Sequence, residues 1–205
     1  MAQSRDTLER YRQKREARRT PEPIADEARR EQNDGPIFVI QLHDASTRHY
    51  DFRLEVDGVL KSWAVPKGPS TDPRVKRLAI PTEDHPLAYA DFEGVIPAGE
   101  YGAGTVLIWD RGHYRNLKED NAPPSVAEQL ADGHATVWLE GEKLRGGYAL
   151  IRTRLEQGKD WLLVKIDDEA ADARRNPTST EPESVRSGRT LEQIAAEEDQ
   201  DGNGH

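Results

Sequence analysis

The sequence predicts an all-β protein, a β-barrel of short antiparallel strands with a few flanking short helices. Three observations carry this. Apolar and polar residues alternate over the short runs 48–56, 135–140, 143–153 and 160–166, the period of a half-buried strand, and 59–65 and 105–109 also read as strands. Turn residues separate many of them: Asp57-Gly58, Asp110-Arg111-Gly112, Gly141-Glu142 and Gln157-Gly158-Lys159. The chain's 205 residues allow one domain with tails. The expected division is an N-terminal helical arm (1–35), a barrel domain (36–166) and an acidic tail without structure (167–205).

In order along the chain, Asp6 to Arg19 reads as an Arg-rich helix. Asp6 is its expected cap, Leu8, Tyr11 and Arg15 share helical spacing, and Thr20-Pro21-Glu22-Pro23 ends it. Residues 24–35 read as a connection. Ile37 to Leu42 is β-rich, and Gln41, with an apolar neighbour on each side, is expected to point inward. Val59 to Val65 pairs with 48–56 through Asp57-Gly58. Pro66 to Pro73 is a loop flanked by Lys67 and Arg77, and Leu78 to Pro81 is extended. In Thr82-Glu83-Asp84-His85-Pro86, the proline biases His85 to an extended conformation. Gly99 to Gly104 is Gly-rich, but no Gly-Lys-Ser/Thr follows, so it reads as a tight turn and not a phosphate-binding loop. Thr105 to Trp109 is a strand, with Asp110-Arg111-Gly112 as its hairpin turn. Pro124 to Ala131 suits a short helix with proline in its first turn. Beyond Asp167 the composition shifts to Ala, Asp, Glu, Arg, Pro and Ser, with a short helix over 190–197.

The stretch that carries chemistry is His43 to Arg53. In a strand from Arg48 to Val56, His49, Asp51, Arg53 and Glu55 share one face. Tyr50, Phe52, Leu54 and Val56 share the other, which is apolar enough for a core. The polar face places an imidazole, a carboxylate and a guanidinium roughly 7 Å apart in sequence order. A tight reversal over Asp44 to Thr47 would return His43 to His49 and Asp51. Two imidazoles and a carboxylate suit a divalent first-row metal with open positions, and a guanidinium beside them suits a phosphate. A solvated strand face with incidental histidines fits the same residues.

Composition bounds the rest. With no Cys, disulfides and thiolate metal sites are excluded. No apolar run spans a bilayer and no signal-peptide pattern follows Met1, which predicts a cytoplasmic protein with no membrane partner. Net charge is −9, with 4 basic and 11 acidic side chains in residues 167–205 and 16 and 19 in residues 36–166. A body that is not basic argues for a local phosphate pocket and against a long duplex groove.

His43-Asp44-Ala45 with Arg48-His49-Tyr50-Asp51-Phe52-Arg53-Leu54-Glu55 resembles the 3′-phosphoesterase domain of bacterial DNA ligase D, the end-healing module of non-homologous end joining. Further blocks follow in order: Lys61 to Pro69, Glu83 to Leu87, Tyr89 to Gly94, Gly99 to Gly104 and Trp109 to Gly112. The resemblance covers roughly residues 5 to 166. No polymerase or ligase motif is read, so it implies a stand-alone form. It implies a compact β-barrel and a Mn²⁺-dependent enzyme that removes a 3′-terminal ribonucleoside, then the remaining 3′-phosphate, to leave a 3′-hydroxyl.

The expected metal ligands are His43, His49 and Asp51, and other divalent transition metals are possible occupants. Arg53, Lys67, Arg77, His85 and Tyr89 are expected on the phosphate, with Arg53, His85 and Tyr89 also in the catalytic set. Arg15, Glu16, Glu22 and Gln41 are expected at the terminal nucleoside; the family usually has Asp where this chain has Glu16. The implied partners are DNA or RNA-tipped DNA 3′ ends, with a separate ATP-dependent DNA ligase, a repair polymerase and a Ku-like end-binding protein. Two rival readings are a catalytically weak module that caps DNA ends for a ligase, and a non-haem iron oxygenase using the same His-x-Asp and distal His. The cationic companions fit phosphate better than an oxo-acid.

Overall fold

The computed structural model describes residues 7–15, 19–24, 35–118, 122–154 and 159–202. Nine strands form one antiparallel sheet: β1 (Ile37–Asp44), β2 (Arg48–Val56), β3 (Val59–Val65), β4 (Lys76–Pro81), β5 (Gly94–Ile96), β6 (Gly104–Asn116), β7 (His134–Gly141), β8 (Arg145–Arg152) and β9 (Trp161–Lys165). The order is β1-β2-β3-β4-β9-β8-β7-β6-β5, and β1 also pairs with β6. That second pairing closes eight strands into a barrel and leaves β5 as an outer strand on β6. The all-β barrel expected from the sequence is the fold found.

The interior is filled by one face of each strand. Phe38, Ile40 and Leu42 of β1 meet Tyr50, Phe52 and Leu54 of β2, with Trp63, Leu107, Trp109, Leu139, Tyr148, Leu150 and Leu163. The β2–β3 hairpin turns through Asp57 (φ 51°) and Gly58 (φ 81°), two left-handed residues whose twist matches that of the flanking strands. A second apolar cluster lies outside the barrel wall. There Ile37, Val39, Val106 and Ile108 are covered by Tyr11, Tyr89, Ala90 and Phe92. Tyr11 belongs to α1 (Glu9–Gln13), and Tyr89 and Ala90 to a 3-10 helix, Leu87–Asp91. The outer face of β1 and β2 is thus roofed, and the candidate site lies under that roof.

Several local expectations are corrected. Among the described residues the arm's helix is Glu9–Gln13: the Arg15 amide bonds back to Arg12 O, and the Arg15 side chain donates to Tyr11 O, closing its last turn. The proposed Asp6 cap lies outside the described residues. Asp110-Arg111-Gly112 is no hairpin turn, because β6 runs straight through it. The buried Asp110 carboxylate instead accepts the backbone N–H groups of Glu142, Lys143 and Leu144, pinning the β7–β8 connection. At Gly112 a Cβ would lie 2.0 Å from Glu140 O, so glycine is required by the approach of β7 and not by a turn. The helix α2 is Val126–Asp132; Ser125 caps it, in a reciprocal box with Glu128, so the prolines precede the cap. The turn expected at 157–159 lies largely outside the described residues.

The stretch after Asp167 is not structureless. It wraps the barrel through short α3 (Pro177–Thr180) and ends in α4 (Leu191–Gly202). Asp172 N donates to Thr71 O, and Trp109 Nε1 and Lys143 Nζ donate to Glu181 O. Val185 N donates to Ile108 O, and Leu191 and Ile194 are buried in the main apolar cluster. Among the described residues no helix is long and apolar enough to cross a membrane.

Candidate active site

The β1–β2 hairpin builds the centre. Register places His43 directly opposite His49 and Gln41 opposite Asp51, while Asp51 faces Ala64 on β3. The expected reversal is therefore an ordinary antiparallel hairpin, whose outward residues converge. His43 Nδ1 lies 3.7 Å from Asp51 Oδ2, and His49 Nε2 lies 3.5 Å from Asp51 Oδ1. One ligand atom from each residue falls within 4.8 Å of the other two, the one such group of three among the described residues.

Each imidazole is oriented by its other nitrogen. His43 Nε2 donates to Gly102 O at 2.8 Å, and His49 Nδ1 donates to Thr47 O at 2.8 Å. This fixes the tautomers so that two lone pairs and a carboxylate face one another, the arrangement of histidines that hold a metal. Donors about 2.0–2.2 Å from a metal stand a little over 3 Å apart, so the set fits a divalent cation.

Arg53 is held from three sides beside this group. Its Nε donates to Gln41 Oε1 (2.7 Å), Nη2 lies 3.1 Å from Asp51 Oδ2, and Nη1 is 3.1 Å from His85 Nδ1. The Tyr89 ring lies beneath the guanidinium at 4.9 Å and packs edge-on against His85. A two-strand bridge with Leu60 fixes the His85 backbone.

Electrostatics follow from this burial. Burial opposes ionisation of Asp51, yet Arg53, His43 and His49 outweigh it and hold the carboxyl well below its usual range. Burial pulls His49 down, but its bond to Asp51 more than offsets this, and its pKa is raised. Burial, then the Arg53 and Arg15 cations, push His85 well below the ordinary imidazole value. Burial pushes the Tyr89 hydroxyl well up.

Of the predicted residues, His43, His49, Asp51, Arg53, His85, Tyr89, Arg15 and Glu22 line a single cavity of about 350 Å³. The arm enters it through Arg15, whose Nε donates to Glu22 Oε1 (2.8 Å) and whose Nη1 donates to Glu83 Oε1 (2.7 Å). Tyr11, one turn earlier, packs on His85 at 5.0 Å. Glu16 lies outside the described residues.

Three expectations change. Gln41 is wholly buried, and its amide donates to Tyr89 O and Phe92 O while its oxygen accepts from Arg53. It positions Arg53 and has no donor left for a nucleoside. Lys67 is exposed on the turn after β3 and does not line the cavity. Arg77 does not line it either. The register Asp51–Ala64–Ile80 sets the even-numbered residues of β4 on the site's side of the sheet, so Arg77 falls on the other. Sequence reasoning gave no role to Glu83, Tyr101 or the Gly102 carbonyl. Glu83 stands two residues from His85, and Tyr101-Gly102 lie in the Gly-rich block, but nothing local marks their contacts.

A closed barrel with two imidazoles, a carboxylate and a captive guanidinium on its outer wall defines a candidate phosphoester-processing protein. Comparison with known proteins narrows the class. A profile of the DNA ligase D 3′-phosphoesterase domain matches residues 41–152. The chain is 51% identical over 188 residues to the multifunctional non-homologous end joining protein LigD of Pseudomonas aeruginosa, covering 90% of this chain and 22% of that one. It is 51% identical over 164 residues to the LigD of Mycobacterium tuberculosis, and 46% over 166 to that of Mycolicibacterium smegmatis, each covering 80% of this chain. The chain belongs to the DNA ligase D 3′-phosphoesterase domain family, and it spans about a fifth of the length of these relatives.

Because the Arg53 fork has three partners at once, Arg53→Lys is expected to lose at least about a hundredfold in kcat/KM although charge is kept. The check is 3′-phosphate release alongside a melting curve. Near-wild-type rates would mean that Arg53 supplies only a field.

Proposed function

We propose that this protein is a metal-dependent phosphoesterase that heals DNA 3′ ends, removing a terminal ribonucleoside and then the 3′-phosphate to leave a 3′-hydroxyl. The observation that carries this reading is the convergence of the His43, His49 and Asp51 donor atoms beside the captive Arg53 fork. His43, His49 and Asp51 would hold the ion, with Mn²⁺ as the favoured occupant. A divalent ion there supplies Lewis-acid polarisation of a phosphoryl oxygen.

Arg53 offers N–H groups to the phosphate and stabilises charge that builds on its oxygens. His85, its proton affinity lowered by burial and by the Arg53 and Arg15 cations, stands beside Arg53 in the cavity wall and meets the phosphate there. In the first step water attacks phosphorus, the bond to the terminal nucleoside's O5′ breaks, and that oxygen takes a proton. In the second, water displaces the remaining 3′-oxygen and inorganic phosphate leaves. Arg15 and Glu22 orient the departing nucleoside through its sugar, whose 2′-hydroxyl both donates and accepts. The substrates are DNA or RNA-tipped DNA 3′ ends in the cytoplasm, upstream of a repair polymerase and an ATP-dependent ligase recruited with a Ku-like protein.

The test is a primer-template pair differing only at the 3′ end, one a ribonucleotide and the other a phosphate, incubated with Mn²⁺ with and without chelator. Both are expected to be converted, and chelator to stop both; failure of the wild type on both ends would overturn the reading. Glu22→Ala is expected to slow ribonucleoside removal about tenfold more than 3′-phosphate hydrolysis, since a displaced leaving group costs the first step alone. Equal slowing in single-turnover kinetics would remove the arm from the mechanism.

A further inference from the structure

Tyr101 lies in the wall of the same cavity, and half of its surface is in water. Among the described residues it is the one exposed Phe, Tyr or Trp ring. Its loop is built, not loose. Gly99, Gly102 and Gly104 adopt left-handed φ angles of 90°, 75° and 140°, and a Cβ at Gly104 would lie 2.2 Å from Asp44 O. The next residue, Gly102, accepts the hydrogen bond that orients His43, so the ring stands two links from the metal-binding group. On the other side the arm meets it. Lys14 Nζ donates to the Tyr101 hydroxyl at 3.1 Å and lies 4.3 Å from the ring centroid, and the Arg15 guanidinium lies 5.3 Å away.

A lone exposed tyrosine on a surface needs no explanation. This one shares a cavity with the His43, His49 and Asp51 group and with Arg15 and Glu22, the arm residues that the proposed function assigns to the departing nucleoside. An aromatic ring beside cations is how proteins take a single-stranded nucleic-acid end without reading its sequence. The roughly 350 Å³ available accommodates a nucleoside as well as its phosphate.

We infer that Tyr101 is a stacking platform for the base of the 3′-terminal ribonucleoside, so that the enzyme senses the presence of a base and not its identity. This rests on the function proposed above. It adds a contact beyond the sugar and phosphate: Arg15 and Glu22 take the ribose, and Tyr101 takes the ring attached to it.

The experiment compares two RNA-tipped primers, one ending in a normal ribonucleoside and one in an abasic ribose, with the full-length protein and Mn²⁺. Wild type should prefer the base-bearing end, and in Tyr101→Ala that preference, as a ratio of kcat/KM values, should fall on the order of tenfold. Tyr101→Phe should keep most of it. In chelator, where no turnover occurs, a 3′-terminal 2-aminopurine riboside should be quenched on binding to wild type and to Tyr101→Phe, and not to Tyr101→Ala. An unchanged preference in Tyr101→Ala, or Tyr101→Phe as impaired as Tyr101→Ala, would overturn the platform while leaving the phosphoesterase reading intact. A wild type that releases no ribonucleoside from either primer would overturn both.

Discussion

Asp51→Ala is expected to abolish hydrolysis of a 3′-phosphate, by at least about a thousandfold, and to lose measurable Mn²⁺ binding in calorimetry. The carboxylate is the hub of the site, within 3.7 Å of both imidazoles and 3.1 Å from Arg53 Nη2. Changes merely behind a metal ligand cost about 10–100-fold, so loss of the one anionic ligand should cost more. The same substitution leaves a buried guanidinium without its counter-charge, a change of about 3–5 kcal/mol in other proteins. His49→Ala should be equally inactive but far less destabilised, since His49 is only half-buried and carries no second charge partner of that kind.

The stability deficit of Asp51→Ala has a defined pH window. The folded-state pKa of Asp51 is depressed, so its contribution is fully present above the unfolded value of about 3.9 and is lost as pH falls through the folded value. The variant and wild type should therefore differ in melting temperature at pH 7 and converge in strong acid. Near-normal turnover of Asp51→Ala at modest Mn²⁺ would remove Asp51 from the ligand set.

Removal of residues 168–205 is expected to lower the melting temperature by more than about 10 °C or to leave the protein insoluble. Composition alone argues the reverse, since the segment is acidic and poor in apolar residues. However, Leu191 and Ile194 are buried in the main cluster, at about 1.5–3 kcal/mol each. Trp109 Nε1 and Lys143 Nζ would lose their acceptors on Glu181, and each stranded donor costs about 1–3 kcal/mol. A total of about 5 kcal/mol or more corresponds to at least 10 °C at about 2–4 °C per kcal/mol for a chain of this size. A truncated protein melting within a few degrees of the full chain would show that the docked segment adds little.

These two cases also show which features were legible in the sequence. Strand β2 was readable because its alternation is local: four apolar residues face the core and the polar set faces out, as expected. The convergence of His43, His49 and Asp51 followed from it, since a hairpin is the simplest path from His43 to His49. Arg77 was not readable, because its side of the sheet depends on how β4 registers against β3, and a short run of residues does not encode register. Asp110-Arg111-Gly112 carries a genuine turn signal, but three of the four N–H groups that Asp110 accepts lie more than thirty positions away. The tail failed for a different reason. Much of what docks there is backbone carbonyl, which composition does not count, together with two apolar side chains three residues apart.

The placement of the site on the outside of a filled barrel has an architectural consequence. Strand β2 works as a partition one residue thick: Tyr50, Phe52 and Leu54 hold the interior together, and His49, Asp51 and Arg53 line the candidate site on the other side. A single inserted or deleted residue in that ribbon would exchange the two sets, putting charges in the core and hydrocarbon in the candidate site. Substitutions that keep length, by contrast, address one side at a time. The interior can be rebuilt for heat resistance, or the exterior for a different ligand, as two nearly separate problems joined only by the backbone between them.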